Sequence, residues 1–431
     1  MNDRLKSDEV PDSAEAIGLT ALEARLREDL ERLCLPAEDW LARSPDDSVL
    51  DVAIVGGGMS GLAAAAQLWL LGVRRIRVFD SNPAGQAGPW LTHARMQTLR
   101  SPKHLVGPAI GLPSLTFRAW FEAQFGKTAW HSLDRIARTQ WQAYLNWFEK
   151  VLALPVSHDV RVEDIAANDH TRDVSLIGFT VVPVSVASDS HNKDHPAPTP
   201  KAMHARHVVL ATGMDGLGGP LIPAFAQAIP DKRWQHSSAQ IDFASLQGKR
   251  IGIVGGGDSA LDAAATALEA RAGTVDVFIR RRDFSRVNYW KGFAHPGHYL
   301  GFAAMTPEAR QPMLDFLKHQ KVPPSLPTVQ RVAKFSNVRL HFDHPITSLA
   351  IDADGAVVVA TARSRHEVDH VIFATGYRTD LALRPELAAL APHIRFWSDR
   401  VPAHSAGFAL EAYPELSADF SLIEREAGAC P

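Results

Sequence analysis

Two glycine hexapeptides, each set between a short apolar run and an alanine-rich segment, constrain this 431-residue chain more than any other feature. The first, Gly56-Gly57-Gly58-Met59-Ser60-Gly61, follows Val49–Val55 and precedes Leu62–Leu71, after which Ile76–Phe79 forms a second apolar run. A run that is apolar at nearly every position is a strand buried on both faces. Strand, glycine turn, helix and strand make a βαβ unit, and GxGxxG at Gly56, Gly58 and Gly61 divides the work of a dinucleotide loop. Gly56 permits the sharp turn, Gly58 lets a pyrophosphate approach the backbone, and Gly61 lets the helix pack against the sheet. Free N–H groups at the helix start, from Ser60 onward, favour the anion. Asp80 stands 24 positions after Gly56, where a carboxylate accepts hydrogen bonds from ribose hydroxyls. A glycine-rich turn without a ligand would not also require the strand, the helix and the terminal acid.

The second hexapeptide, Gly255-Gly256-Gly257-Asp258-Ser259-Ala260, repeats the plan between strand Ile251–Val254, helix Leu261–Ala270 and strand Val275–Ile279. Gly255 and Gly257 keep their places, Asp258 and Ser259 are the further candidate cofactor-binding residues of the loop, and Ala260 replaces the third glycine. The offset that leads to Asp80 leads here to Ile279, followed by Arg280, Arg281 and Arg282. An apolar residue does not repel a 2′-phosphate, and guanidinium groups match phosphate oxygens in charge and geometry. Three arginines after a strand could instead form a solvated basic patch, but their position favours Arg280 or Arg281 as the 2′-phosphate reader. The second nucleotide is therefore expected to be NADPH, and the first a different one.

This duplication predicts an α/β fold of two Rossmann-like, three-layer dinucleotide-binding domains. Residues 1–48 read as a polar tail and an accessory amphipathic helix, Leu19–Leu35. Residues 49–215 and 341–431 read as the first nucleotide domain, and 216–340 as the NADPH domain inserted into it. Helices are expected at Leu115–Phe125 and Trp141–Leu154, and strands near Phe179–Val186 and at Val338–Phe342 and Val357–Thr361. A long exposed turn is expected over Ser188–Lys201, and a last strand at Val371–Ala374. The net charge of -3 gives no reason to expect nucleic acid. Cys34 and Cys430 form no CxxC or ligand cluster, and the 19 histidines show no HExxH spacing, so no metal site is expected. The charged N-terminus and the absence of an apolar run near roughly 18 residues imply a cytoplasmic protein with no membrane partner.

Further segments carry a resemblance. Gly88-Pro89-Trp90 is similar to a GGxW motif, Ala211-Thr212-Gly213 follows the strand Val208–Leu210, and Asp369 precedes Phe373-Ala374-Thr375-Gly376-Tyr377 in a DxxxFATGY-like pattern. Thr98-Leu99-Arg100-Ser101-Pro102 resembles a TLRxP stretch. With both glycine motifs, these span Val52 to Tyr377 and resemble the class B flavin-dependent monooxygenases, which include flavin-containing monooxygenases and N-hydroxylases. The resemblance implies FAD at the first site, with Trp90, Arg100, Thr212, Gly213, Thr375 and Gly376 as further cofactor-binding residues, the small ATG residues lying where the backbone crosses close to the flavin. It implies that NADPH reduces FAD and that a C4a-hydroperoxyflavin oxygenates a small soft nucleophile. The partners are then a small-molecule substrate and dioxygen, and homo-oligomer formation is left open.

The DxxxFATGY similarity tilts the expected reaction toward amine N-hydroxylation. Since the cofactor carries the chemistry, no catalytic residue is assigned. Departures accompany the resemblance. The lysine that N-hydroxylases carry just upstream of TLRxP is not evident, Arg95 being the nearest basic residue. Lys103 and His104 could face the flavin or be solvated loop residues. FxGxxxH survives only as Trp234-Gln235-His236-Ser237, which argues against a Baeyer–Villiger enzyme, and the flavin-contacting element expected beyond Tyr377 is either rebuilt within Arg378–Pro431 or missing. The alternatives are an NADPH-dependent flavoprotein reductase of the ferredoxin type, since no CxxC is present, and a non-catalytic or truncated flavoprotein.

Overall fold

The computed structural model describes residues 15–41, 48–168, 178–185, 202–293, 295–400, 411–426 and 428. The chain divides into two compact units, one holding residues up to Gly216 with Leu381–Pro392, the other Leu217–Asp380 with the described residues from His393 onward. In the first unit, helix α1 (Glu15–Arg32) precedes strand β1 (Leu50–Val55), whose six residues are all buried, as its unbroken apolar run requires. Helix α2 (Met59–Leu70) crosses to β2 (Ile76–Phe79), parallel to β1. Helices α3 (Phe117–Ser132, kinked where Gly126 takes φ 83°) and α4 (Arg138–Val151) follow. Strands β3 (Val156–Ser157), β4 (Val160–Asn168), β5 (Gly178–Ser185) and β6 (Met203–Leu210) complete a six-stranded sheet of order β3-β2-β1-β6-β5-β4.

The core of this unit joins β1 and β2 to all four helices through residues such as Leu26, Leu62, Phe117, Trp120, Tyr144 and Phe148. Each large ring buried there stabilises the fold by roughly 2–3 kcal/mol. Phe117 sits at the centre, 5.5 Å from both Trp120 and Tyr144 by ring centroids. The Tyr144 hydroxyl donates to the Leu115 carbonyl at 2.6 Å, so this buried polar group is satisfied. Helix α1 ends at Arg32, before the expected Leu35, because Cys34 takes a positive φ and Pro36 follows.

The second unit begins with β7 (Gly218–Pro220), β8 (Trp234–His236) and β9 (Arg250–Val254), then helix α5 (Asp258–Glu269) and β10 (Thr274–Ile279). Helices α6 (Pro296–Ala304), α7 (Pro307–His319) and α8 (Leu326–Val332) lead to β11 (Val338–Phe342). A meander of β12 (Ile346–Ile351), β13 (Val357–Thr361) and β14 (Arg365–Val368) precedes β15 (His370–Phe373) and β16 (Tyr377–Thr379). The main sheet has order β11-β10-β9-β15-β8, and β12-β13-β14 form a separate three-stranded sheet. Helix α5 supplies one hydrophobic face of the unit with Ile253, Val277 and Val332. The meander supplies the other, where Leu349, Val357, Val359 and Val368 meet Phe278 and Phe373.

Two expectations differ from this architecture. Residues 341–380 were assigned to the first nucleotide domain, yet β15 pairs in parallel with β9 and β8, placing Phe373 opposite Val254 and His236. This segment therefore belongs to the second sheet, and the chain rejoins the first unit over Leu381–Pro392. Nor is β15 the last strand, because β16 pairs antiparallel with β7. The expected turn at Ser188–Lys201 lies outside the described residues.

His370 on β15 is buried, and its Nε2 has no hydrogen-bond partner among the described residues. Burial, assisted by the positive charges of Lys249 and Arg233, depresses its pKa from 6.5 to about 4. Between those values the unfolded chain binds a proton that the folded one refuses, so stability falls as pH drops through the window and is unaffected by this group above it. The full depression corresponds to about 3 kcal/mol. Urea unfolding midpoints measured from pH 7 down to pH 4 are expected to fall less steeply in His370→Gln than in the native chain; parallel slopes would refute the assignment.

Candidate functional site

The first glycine loop has the tolerances its sequence demands. Gly56 takes φ 106°, and a Cβ there would lie 2.3 Å from the Ala211 carbonyl oxygen. A Cβ on Gly61 would lie 1.8 Å from the Gly56 carbonyl oxygen. Gly58 is the N-cap of α2, with no side-chain cap and no acid in the first turn, so the helix start is electrostatically suited to an anion. Asp80 is buried and staples the loop: its Oδ2 accepts from the Gly57 N–H at 2.7 Å and its Oδ1 from the Asn82 N–H at 2.8 Å. A carboxylate has about four acceptor sites, so this role is compatible with ribose binding as well.

Beside this loop lies a cavity of ≈ 350 Å³, whose lining includes Met59, Trp90, Leu99, Arg100, Ile136 and Trp141. Two of these, Trp90 and Arg100, were singled out from the sequence. The rings of Trp90 and Trp141 meet edge to face with centroids 6.3 Å apart. The part played by Trp141 on α4, and by Ile136 in the loop before it, was missed because this stretch is far from the glycine loop in sequence. The aromatic enrichment of 138–148 was their only signal. The segment carrying Trp90 is held by Arg138, whose guanidinium donates to the Trp90 carbonyl. Gly88, at φ 81°, brings its backbone over the phosphate loop, 3.7 Å from the Gly58 Cα as measured from a Cβ built on Gly88.

Lys103 has another task than facing this cavity. Its ammonium donates to the Trp130 carbonyl at 2.7 Å and to that of Leu133, and it lies 5.0 Å from the Trp130 ring centroid. It thus caps the C-terminus of α3, where a cation opposes the negative end of the helix dipole. His104 is exposed. Closer to Trp90, burial and the charge of Arg95 lower the His93 pKa, against an opposing pull from Asp215.

The second loop repeats the first in detail. Gly255 takes φ 145°, and its Cβ would lie 2.5 Å from the Ala374 carbonyl oxygen, as that of Gly56 meets Ala211. Each ATG segment therefore packs on the glycine loop of its own unit. Thr212 and Gly213 accompany the first, and Thr375 and Gly376 the second. The Thr375 hydroxyl donates to the Leu221 carbonyl, and the Gly376 carbonyl accepts from the Leu221 N–H at 2.8 Å.

Gly257 is the N-cap of α5, followed by Asp258, Ser259 and the fully buried Ala260. The Asp258 carboxylate accepts from the Ser325 N–H at 2.8 Å. A Cβ on Gly256 would touch the Ile279 side chain at 2.8 Å, just as one on Gly57 would touch Asp80 at 3.1 Å. Ile279 thus occupies the structural place of Asp80 and offers a ribose no acceptor. Arg280 is exposed; Arg281 donates to Ser285 Oγ at 3.0 Å, and the Arg282 side chain is 90% exposed.

The family model for L-lysine 6-monooxygenase/L-ornithine 5-monooxygenase matches residues 48–379. A FAD-dependent urate hydroxylase of Xanthomonas campestris is 40% identical over 417 residues, covering 95% of this chain and 83% of the relative. Among solved structures, the ornithine hydroxylase of Pseudomonas aeruginosa superposes with TM-score 0.67 at 18% identity, over 88% of this chain and 90% of that one. The Kutzneria ornithine N-hydroxylase does so with TM-score 0.64 at 18% identity, over 87% and 89%. These two share the α/β fold. No helix among the described residues is long and apolar enough to cross a membrane.

Proposed function

The chain belongs to the L-lysine 6-monooxygenase/L-ornithine 5-monooxygenase family of class B flavin monooxygenases, and from that premise we propose that it oxygenates a flat, electron-rich nitrogen heterocycle of the urate class. The enzyme is an oxidoreductase that uses FAD and NADPH. We assign Gly56, Gly58, Ser60, Gly61 and Asp80 to the ADP half of FAD, with Trp90, Arg100, Thr212 and Gly213 nearby. We assign Gly255, Gly257, Asp258, Ser259, Ala260, Arg280 and Arg281 to NADPH, with Thr375 and Gly376 behind the loop. FAD reduced by NADPH supplies the activation of dioxygen and the transfer of one oxygen atom to the substrate. The protein's own contribution is a site from which water is kept by Trp90, Trp141, Leu99, Ile136 and the two methionines of the cavity, Met59 and Met96.

The observation that carries the substrate reading is the 40% identity with a urate hydroxylase. The cavity that Trp90 and Arg100 share with the FAD site agrees with it, since among its described lining residues Arg100 is the one charged side chain and no carboxylate appears. A diamino acid brings an ammonium group that such a lining leaves without a counter-charge, which is costly in a desolvated site. A planar ring that is neutral or anionic finds aromatic and apolar surface together with a guanidinium. The relative that is 40% identical over 95% of this chain is a urate hydroxylase, in keeping with that chemistry.

N-hydroxylation of an amine is the second reading, favoured by the family model and by the segment from Asp369 to Tyr377. The test is NADPH oxidation by the FAD-loaded enzyme in the presence of urate, lysine or ornithine, with hydrogen peroxide and oxygenated product both quantified. Urate is expected to accelerate oxidation with little peroxide released, and the amines to leave only the uncoupled background. A coupled hydroxylamine product from either amine, with urate inert, would replace the first reading by the second.

A further inference from the structure

Within the second unit, β10, β11 and β14 bring several histidines around one buried carboxylate, at a place the oxygenation chemistry does not use. Asp276 on β10 is 1% exposed. His341 on β11 places Nε2 at 2.6 Å from Asp276 Oδ1, and the His366 ring on β14 lies 4.4 Å from that of His341 by centroids. One donor atom from each of Asp276, His341 and His366 falls within 4.8 Å of the other two. Phe278 backs the group, stacked on His341 at 5.2 Å with the planes 14° apart. We propose that Asp276, His341 and His366 form a binding site for a divalent transition-metal ion, of which Zn²⁺ is the expected occupant.

Two imidazoles and a carboxylate suit a borderline-soft ion, which takes these donors at about 2.0–2.2 Å and fills a fourth position with water. Closing the three donors onto one ion requires movements of about 1 Å, within the reach of His341 and His366, neither of which is fully buried. The second nitrogen of His366 is already oriented, with Nε2 at 2.7 Å from Ser364 Oγ, leaving Nδ1 for a ligand role; outer hydrogen bonds of this kind are what fix metal-binding histidines. His344 is the next donor, its ring 5.4 Å from that of His341 and its Nδ1 held by the Phe342 carbonyl at 2.6 Å.

The resting counter-ion of Asp276 is Arg339, whose guanidinium makes two bonds of 2.8 Å to the carboxylate. Its side chain is 62% exposed, so it can leave for water when a dication arrives. Metal and arginine thus compete for one carboxylate. An ion here would tie β14 to β10 and β11. It would also brace the corner in which the Asp343 N–H donates to the Arg281 carbonyl at 2.7 Å and the His344 N–H to that of Ile279 at 3.0 Å.

The test uses untagged, FAD-loaded enzyme freed of metal by chelator and then dialysed to equilibrium against ZnCl₂, with zinc per chain read by elemental analysis. One equivalent is expected for the native chain. His366→Gln is expected to weaken binding by about a hundredfold, and Arg339→Gln, which removes the competing cation, to tighten it by about tenfold. Circular dichroism and FAD content of each variant establish that it is folded, and a variant that fails is replaced by His366→Asn. A native chain that binds no more zinc than the His341→Gln/His366→Gln double variant would overturn the proposal, as would an Arg339→Gln variant that binds more weakly than the native chain. Either result would mark the cluster as a hydrogen-bonded packing element.

Discussion

Gly61→Ala is expected to purify without FAD and to lose at least about a thousandfold in monooxygenase activity, corresponding to roughly 4 kcal/mol of binding or more. The added Cβ would stand 1.8 Å from the Gly56 carbonyl oxygen. Both groups are backbone-borne, so no side-chain rotation relieves the overlap. Either α2 is lifted from β1 or the turn at Gly56 opens, and each movement carries the first-turn N–H groups away from the phosphate position. Gly56 cannot compensate, because its own φ of 106° is set against the Ala211 carbonyl.

Gly255→Ala is the informative partner, since its Cβ would lie 2.5 Å from the Ala374 carbonyl oxygen, in the other unit. That variant is expected to keep FAD and fail to be reduced by NADPH. Flavin absorbance after gel filtration and anaerobic reduction by dithionite or NADPH separate the two outcomes. Stoichiometric FAD in folded Gly61→Ala would sink the assignment of the first loop.

The duplicated loops were legible because their requirements are local. A left-handed glycine, a capless helix start and a residue closing the next strand all lie within about 25 positions, the reach of a βαβ unit. The equivalence of Asp80 and Ile279, inferred from equal offsets, reappears as the same contact with the middle glycine of each loop. What could not be read was pairing. The strand His370–Phe373 is buried on every side, so it carries no alternation to say which sheet it enters; its neighbours β9 and β8 are more than a hundred residues upstream.

Side-chain roles settled by tertiary contact were equally hidden. Lys103 looks like a loop lysine until the carbonyls at the end of α3 are placed around it. Trp141 looks like a core residue of an amphipathic helix, which it is, and its edge also completes the cavity with Trp90. The metal-binding trio has no spacing motif, since Asp276, His341 and His366 come from three strands joined only by sheet register and meander packing.

Arg280→Ala is expected to reduce kcat/KM for NADPH by about 10- to 150-fold while leaving NADH almost unaffected. A charge-assisted hydrogen bond of about 1.5–3 kcal/mol accounts for that range. Of the three arginines that follow β10, Arg281 is engaged with Ser285 Oγ, and Arg282 projects into solvent. Arg280 adjoins Ile279, which stands where Asp80 stands in the first unit, and we propose it as the main reader of a ribose 2′ substituent. Because the contact is exposed, the NADPH advantage should also shrink as ionic strength rises.

Adding Ile279→Asp to Arg280→Ala restores an acceptor for the ribose hydroxyls and adds repulsion toward a 2′-phosphate, which penalises one cofactor while helping the other. The double variant is therefore expected to prefer NADH. The aspartate would lie at the end of a buried strand, beside the Gly256 backbone whose counterpart in the first unit, Gly57, donates to Asp80 at 2.7 Å. It therefore gains a hydrogen bond and is not left as an unpaired buried charge. Steady-state kinetics with both cofactors, together with FAD content as a folding control, measure the switch. An unchanged NADPH preference in the double variant would show that the 2′-phosphate is read elsewhere than at the end of β10.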